Sequence, residues 1–109
     1  MDFFFDSNFS EGKNRWEVVL KGEIDIYNST LFKEKVNALL KEKCADVEID
    51  CSYLEYIDST GLGALVSILK IVKQEGHEVC LSNVKPSVLK LFKITDLDKV
   101  FLIGEVDRI

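Results

Sequence analysis

Between Val47 and Val72 the hydrophobic pattern changes period once, and that change constrains the fold more than any other feature of the chain. Val47, Ile49 and Cys51 alternate with Glu48 and Asp50, the period-two signature of a strand with one buried face, whereas Leu62, Leu65, Val66, Leu69 and Val72 recur at helical spacing. The stretch Ile57-Asp58-Ser59-Thr60-Gly61-Leu62-Gly63 is therefore expected to be a strand-to-helix junction. It sets two adjacent hydroxyls where free backbone N–H groups and the positive end of the helix dipole favour an anion, with Ser59 as the expected N-cap.

The flanking segments extend this unit. Phe3 to Phe9 reads as an edge strand, Glu11-Gly12-Lys13-Asn14 as a turn, and Trp16 to Lys21 as a second strand. Gly22 to Tyr27 leads to the capping cluster Asn28-Ser29-Thr30, after which Phe32, Val36, Leu39 and Leu40 mark a first helix. A short loop is expected after Cys51, and Gly76 is the expected stop of the second helix. Glu78 to Ser82 reads as a strand, Pro86 opens a short third helix with Val88, Leu91 and Phe92 inward, and Lys99 to Ile103 reads as a last strand. The order β-β-α-β-α-β-α-β predicts an α/β fold over residues 1–109, one domain with a mixed, mostly parallel sheet, an antiparallel edge hairpin and about three helices. In such sheets sites gather outside the carboxyl ends of the strands, where Ser59 would lie.

Several function classes are disfavoured. A formal charge of −5, with lysines spread through the helices, argues against a nucleic-acid partner. Cys44, Cys51 and Cys80 have no C-x-x-C spacing and His77 is the only histidine, so no metal site or disulfide framework is expected; the thiols read as small core or half-buried groups. The apolar runs are far shorter than the ~20 residues of a membrane-spanning helix, and the start does not resemble a secretory leader, which predicts a cytoplasmic protein without membrane contact. Ser59 lacks the first glycine of G-x-S-x-G and a nearby base, and Val66 stands where G-x-G-x-x-G needs glycine. Neither an enzyme nor a cofactor is expected.

Three ordered segments carry a family resemblance. Asp58-Ser59-Thr60-Gly61-Leu62-Gly63 is similar to the D-S-[S/T]-G-[L/I]-G signature of STAS domains of the anti-sigma factor antagonist family. Gly22-Glu23-Ile24-Asp25 resembles its G-E-[L/I]-D, and Pro86 to Phe92 its late P-x-V-x-x-[L/I]-F segment. The resemblance implies that the unphosphorylated protein binds an anti-sigma factor serine kinase and releases a sigma factor, and that phosphorylation of Ser59 abolishes binding. The kinase supplies ATP, and a protein phosphatase is the implied reversing partner. Asp58 and Asp25 are implied to lie beside Ser59, with Thr60, Gly61 and Gly63 completing its surroundings. Two departures stand out: only Glu105 to Ile109 follow Gly104, so the final family helix is expected to be missing or rudimentary, and Ile26-Tyr27 stand where the family often has a polar residue. An unphosphorylated STAS scaffold or a small-ligand-sensing module in a larger complex is the alternative.

These residue types suit a phospho-switch. A phosphate at a helix start would face free N–H groups, and Gly61 and Gly63 would let a partner backbone come close. On the bland reading Asp58 and Ser59 merely cap the helix and the glycines merely make a tight turn. Thr60 is either a second acceptor or a hydroxyl bonded within the first turn. Glu23, Asp25, Leu62, Ala64, Ile68 and Ile71 are the expected partner-binding residues. For the row Ala64, Ile68 and Ile71 the alternative is a helix buried on two sides, and for Glu23 and Asp25 solvated loop carboxylates. Trp16 and Phe3 to Phe5 are expected in the core.

Overall fold

The computed structural model describes residues 3–104. Five strands form one sheet in chain order: β1 (Phe3–Ser10), β2 (Arg15–Ile24), β3 (Asp46–Ile57), β4 (Val79–Ser82) and β5 (Leu102–Gly104). β1 and β2 are an antiparallel hairpin, with Phe9 opposite Trp16, and every other pair is parallel. Each parallel step needs a crossover, supplied by α1 (Ser29–Glu42), α2 (Ser59–Gln74) and α3 (Pro86–Ile94). The expected α/β class, the mixed sheet and the edge hairpin are all present.

The core lies between the helices and the sheet face that carries Val18, Leu20, Val47, Ile49 and Leu81, all buried. α1 inserts Phe32 and Val36, and Phe3 and Phe5 of the hairpin stand edge-on to the Phe32 ring at 6.2 and 6.4 Å. Burying one such aromatic contributes roughly 1.5–3 kcal/mol. Trp16 is buried and its indole N–H donates to the Lys43 carbonyl at 2.8 Å, so the polar end of the ring is not left unpaired. Phe4 points the other way and is exposed, because alternation along β1 sends neighbouring side chains to opposite faces.

Three boundaries differ from the sequence reading. β2 continues through Gly22-Glu23-Ile24, and β3 runs on to Ile57 where a loop was expected. The two strands stay paired across register shifts at Val19/Lys21 and Gly22/Glu23, and Gly22 adopts φ 93°, a conformation that favours glycine. These shifts break the alternation, which is why the end of β3 does not read as a strand. Near the end of the described residues a 3-10 turn at Leu97–Lys99 precedes β5, so the last strand starts later than expected; buried Phe101 packs edge-on against Phe92 at 5.7 Å. The expected loss of a final helix concerns 105–109 and lies outside the described residues.

α2 ends as expected at Gly76, whose φ is 83°; its N–H donates to Lys73 and the His77 N–H to Val72, closing the helix with two bonds. The thiols are less uniform than expected. Cys51 is buried, which pushes its thiol up to about 12, and Cys80 is half-buried, but Cys44 is exposed in the turn after α1. No helix among the described residues is long and apolar enough to cross a membrane, and none of their His, Cys, Asp and Glu side chains cluster in threes as a metal site needs.

Candidate functional site

Two chain segments leave the carboxyl edge of the sheet side by side. Ile24 at the end of β2 pairs with Ile57 at the end of β3, so the loop before α1 and the junction before α2 start from adjacent strands. The Asp58 N–H donates to the Ile24 carbonyl at 3.1 Å and ties the two exits together.

Gly61 explains how closely α2 begins on these strand ends. A Cβ at this position would stand 2.6 Å from Ile57 Cγ1 and 2.9 Å from both Ile24 Cγ2 and the Ile24 carbonyl oxygen. No real side chain tolerates such contacts, and a backbone oxygen has no rotamer with which to move away. Gly61 is buried and faces the sheet, so its role is close packing and not the opening of the hydroxyl to a partner. Gly63, by contrast, is exposed, and a Cβ there would meet nothing within 4 Å.

The helix cap also differs from the expectation. Asp58, not Ser59, is the N-cap, with extended backbone and a carboxylate Oδ1 that accepts from the Gly61 N–H at 3.0 Å and the Thr60 hydroxyl at 2.6 Å. An ionised carboxylate accepts more strongly than a hydroxyl and gains from the helix dipole, so it wins the position. The Thr60 hydroxyl first, then the Gly61 N–H, hold the Asp58 carboxyl below its usual range, and the Ile26 N–H from the neighbouring loop adds to the effect. Thr60 is thereby bonded within the first turn. Ser59 becomes the first helical residue; it is exposed, and among the described residues its hydroxyl makes no hydrogen bond to a protein group.

Asp25 sits in the adjacent loop, where its carboxylate accepts from the Tyr27 N–H at 2.9 Å. The Asn28 side chain braces the same loop, accepting from the Asp25 N–H at 2.9 Å and donating to the Glu23 carbonyl at 2.8 Å. Asp58 and Asp25 thus occupy neighbouring turns, and Glu23 is half-buried on β2 opposite Tyr56.

The expected apolar partner row does not form a surface. Leu62, Ala64 and Ile68 are buried because α2 packs against α1 as well as against the sheet. Ile71 is 38% exposed, but it borders a groove with Asn37, Ala38 and Cys44 at the other end of α2. Twelve residues at 1.5 Å per residue put it roughly 18 Å along the helix from Ser59. At the neighbouring chain exit, Ile26 at 65%, Tyr27 at 91% and Leu31 at 47% are exposed. Leu31 falls outside the Phe32, Val36, Leu39, Leu40 stripe, and that was the readable sign of its outward position.

This geometry can place an anion on Ser59 without disturbing the core. The helix start would then hold two negative groups, since the Asp58 carboxylate already occupies its inner side.

Comparison with known proteins gives a consistent result. The model of the STAS domain family matches residues 13–107. The chain is 37% identical over 90 residues to the anti-sigma-B factor antagonist of Bacillus subtilis, covering 83% of this chain and 82% of that protein. The corresponding antagonist of Staphylococcus aureus strain NCTC 8325 is 30% identical over 90 residues, with 83% of each covered. The crystal structure of a candidate anti-sigma factor antagonist from Thermotoga maritima superposes with a TM-score of 0.83 at 27% identity, covering 94% of this chain and 87% of that one.

Proposed function

This chain belongs to the STAS domain family, and on that footing we propose that it is an anti-sigma factor antagonist controlled by phosphorylation of Ser59. Unmodified, it binds an anti-sigma factor serine kinase in the bacterial cytoplasm and frees a sigma factor; phosphate on Ser59 ends the complex, and a phosphatase restores it. The chain acts by binding and not by catalysis. In the modifying step the Ser59 oxygen takes the γ-phosphoryl group of ATP as its bond to the ADP leaving group breaks, and the kinase removes the hydroxyl proton.

The observation that carries this reading is the contrast among three consecutive residues. Asp58 and Thr60 are consumed by the helix cap, while Ser59 between them is exposed and unengaged. A phosphate there adds about −1.5 to −2 charge, and Asp58 and Asp25 leave it only partly neutralised. A surface that docks over unmodified Ser59 then has to desolvate a dianion beside a fixed carboxylate, which favours dissociation.

The test uses the serine-kinase anti-sigma factors of the host, each purified, with ATP. Phosphate is expected on the peptide containing Ser59, with Ser59→Ala unlabelled but bound and Ser59→Asp unbound. Equal binding of both variants together with no incorporated phosphate overturns the proposal.

A further inference from the structure

We infer that Ile26, Tyr27 and Leu31 form a preorganised apolar anchor that selects the anti-sigma factor, entering an apolar pocket of that partner rimmed by Lys or Arg. The inference rests on the functional reading above and goes beyond it in naming the selecting side chains and the chemistry that receives them.

Tyr27 is 91% exposed, far more than an aromatic ring with a place in the fold would be, yet its backbone is held firmly. Its N–H is taken by the Asp25 carboxylate, and the Asn28 side chain pins both Asp25 and Glu23. A ring at the position before a helix N-cap commonly packs back on the first turn, but the residue it would meet, Phe32, is completely buried under Phe3 and Phe5. The loop therefore spends three hydrogen bonds presenting a side chain to solvent. Ordering an interface residue before contact lowers the entropy lost on binding, and exposed Tyr on a fixed turn is a typical hot-spot residue.

The place of the anchor ties it to Ser59. Ile26 is consecutive with Tyr27, its N–H faces the Asp58 carboxylate, and Leu31 follows one helical turn after Tyr27. The two turns leave adjacent, hydrogen-bonded strand ends, so a partner covering Ser59 also reaches this loop. The carboxylates of Glu23, Asp25 and Asp58 stand in or beside the same two turns, on a chain of formal charge −5, so the complementary rim is cationic. Those cations are matched to the three carboxylates of the unmodified chain, so a phosphate on Ser59 holds the partner off by its bulk and its desolvation cost.

Binding is measured by titration of the unmodified chain, Tyr27→Ala, Leu31→Ser, Tyr27→Phe and Ser59→Asp into the host's serine-kinase anti-sigma factors and the Bacillus subtilis anti-sigma-B factor. Tyr27→Ala and Leu31→Ser are expected to bind at least about tenfold more weakly with unchanged thermal midpoints, while Tyr27→Phe stays near wild type. If wild type binds, Ser59→Asp does not, and Tyr27→Ala and Leu31→Ser stay within twofold of wild type, this inference fails and the functional reading stands. If the unmodified chain binds none of these probes, the functional reading fails and the anchor with it. Light scattering that finds a Tyr27-dependent dimer in the absence of any factor assigns the patch to a second copy and also overturns it.

Discussion

The first turn of α2 has two sides with opposite properties. On the inner side Gly61 lies flush against Ile24 and Ile57, with no room for a methyl group. On the outer side Ser59 and Gly63 face solvent, and a methyl group at Gly63 would touch nothing. Asp58 separates the two, spending its carboxylate on Gly61 and Thr60. The same residue type two positions apart thus serves packing in one case and openness in the other. A chemical change at Ser59 acts on a surface that the fold does not depend on, so docking can change while stability stays nearly constant.

Substitutions on the two sides test this contrast, beginning with the largest effect. Gly61→Ala should destabilise the protein by about 1–3 kcal/mol, because the added carbon meets a carbonyl oxygen that cannot rotate away. A urea midpoint unchanged from wild type would break the comparison at once. Asp58→Ala should cost about 1 kcal/mol through loss of the cap, readable in the same unfolding experiment.

The Asp58 effect has a pH signature. Its folded carboxyl lies below the ordinary value of about 3.9, since Thr60 and Gly61 hold the charged form. Its contribution is therefore fully present above the unfolded value and is lost as pH falls through the lower folded one. The advantage of wild type over Asp58→Asn, which keeps an oxygen acceptor but no charge, should be constant near neutrality and shrink below about pH 4. An advantage that grows in acid would contradict the assigned cause.

On the outer side Gly63→Ala should raise stability, by up to about 1 kcal/mol, since alanine is the better helix former and no neighbour objects. Opposite signs at Gly61 and Gly63 would sharpen the contrast; equal signs would remove it. Ser59→Ala should change stability least, within about 0.5 kcal/mol, as measured by denaturant unfolding.

Much of the architecture was legible. The single change of period at Ile57 to Leu62 located the junction, Gly76 located a helix end, and the turn residues between Phe9 and Trp16 located the hairpin. The end of β3 was not legible, because the register shifts against β2 put Glu55 and Tyr56 outward in succession and erased the period-two pattern. The candidate site was legible in its position and less so in its roles. Asp58 and Ser59 are both good capping residues, and their order along the chain does not say which carbon backbone is extended and which is helical. Leu62, Ala64 and Ile68 belong to a helix that is apolar on more than one side, and nothing local tells whether α1 or a partner covers the second side. Ile26 and Tyr27 belong to the segment that leads into the first helix, and nothing local says that they stand exposed once β2 stops at Ile24.

The amino-acid order alone determined where a strand gives way to a helix, which residues offer hydroxyls and carboxylates there, and that strands and helices alternate. Those properties depend on side chains a few positions apart. Only the tertiary structure decided that Asp58 holds the cap, that Gly61 packs while Gly63 faces solvent, and that Ile26 and Tyr27 before α1 and Leu31 in its first turn stand exposed. These outcomes depend on the register of β2 against β3 and the packing of α1 on α2, which set what lies opposite each residue, and burial is a property of that opposite surface.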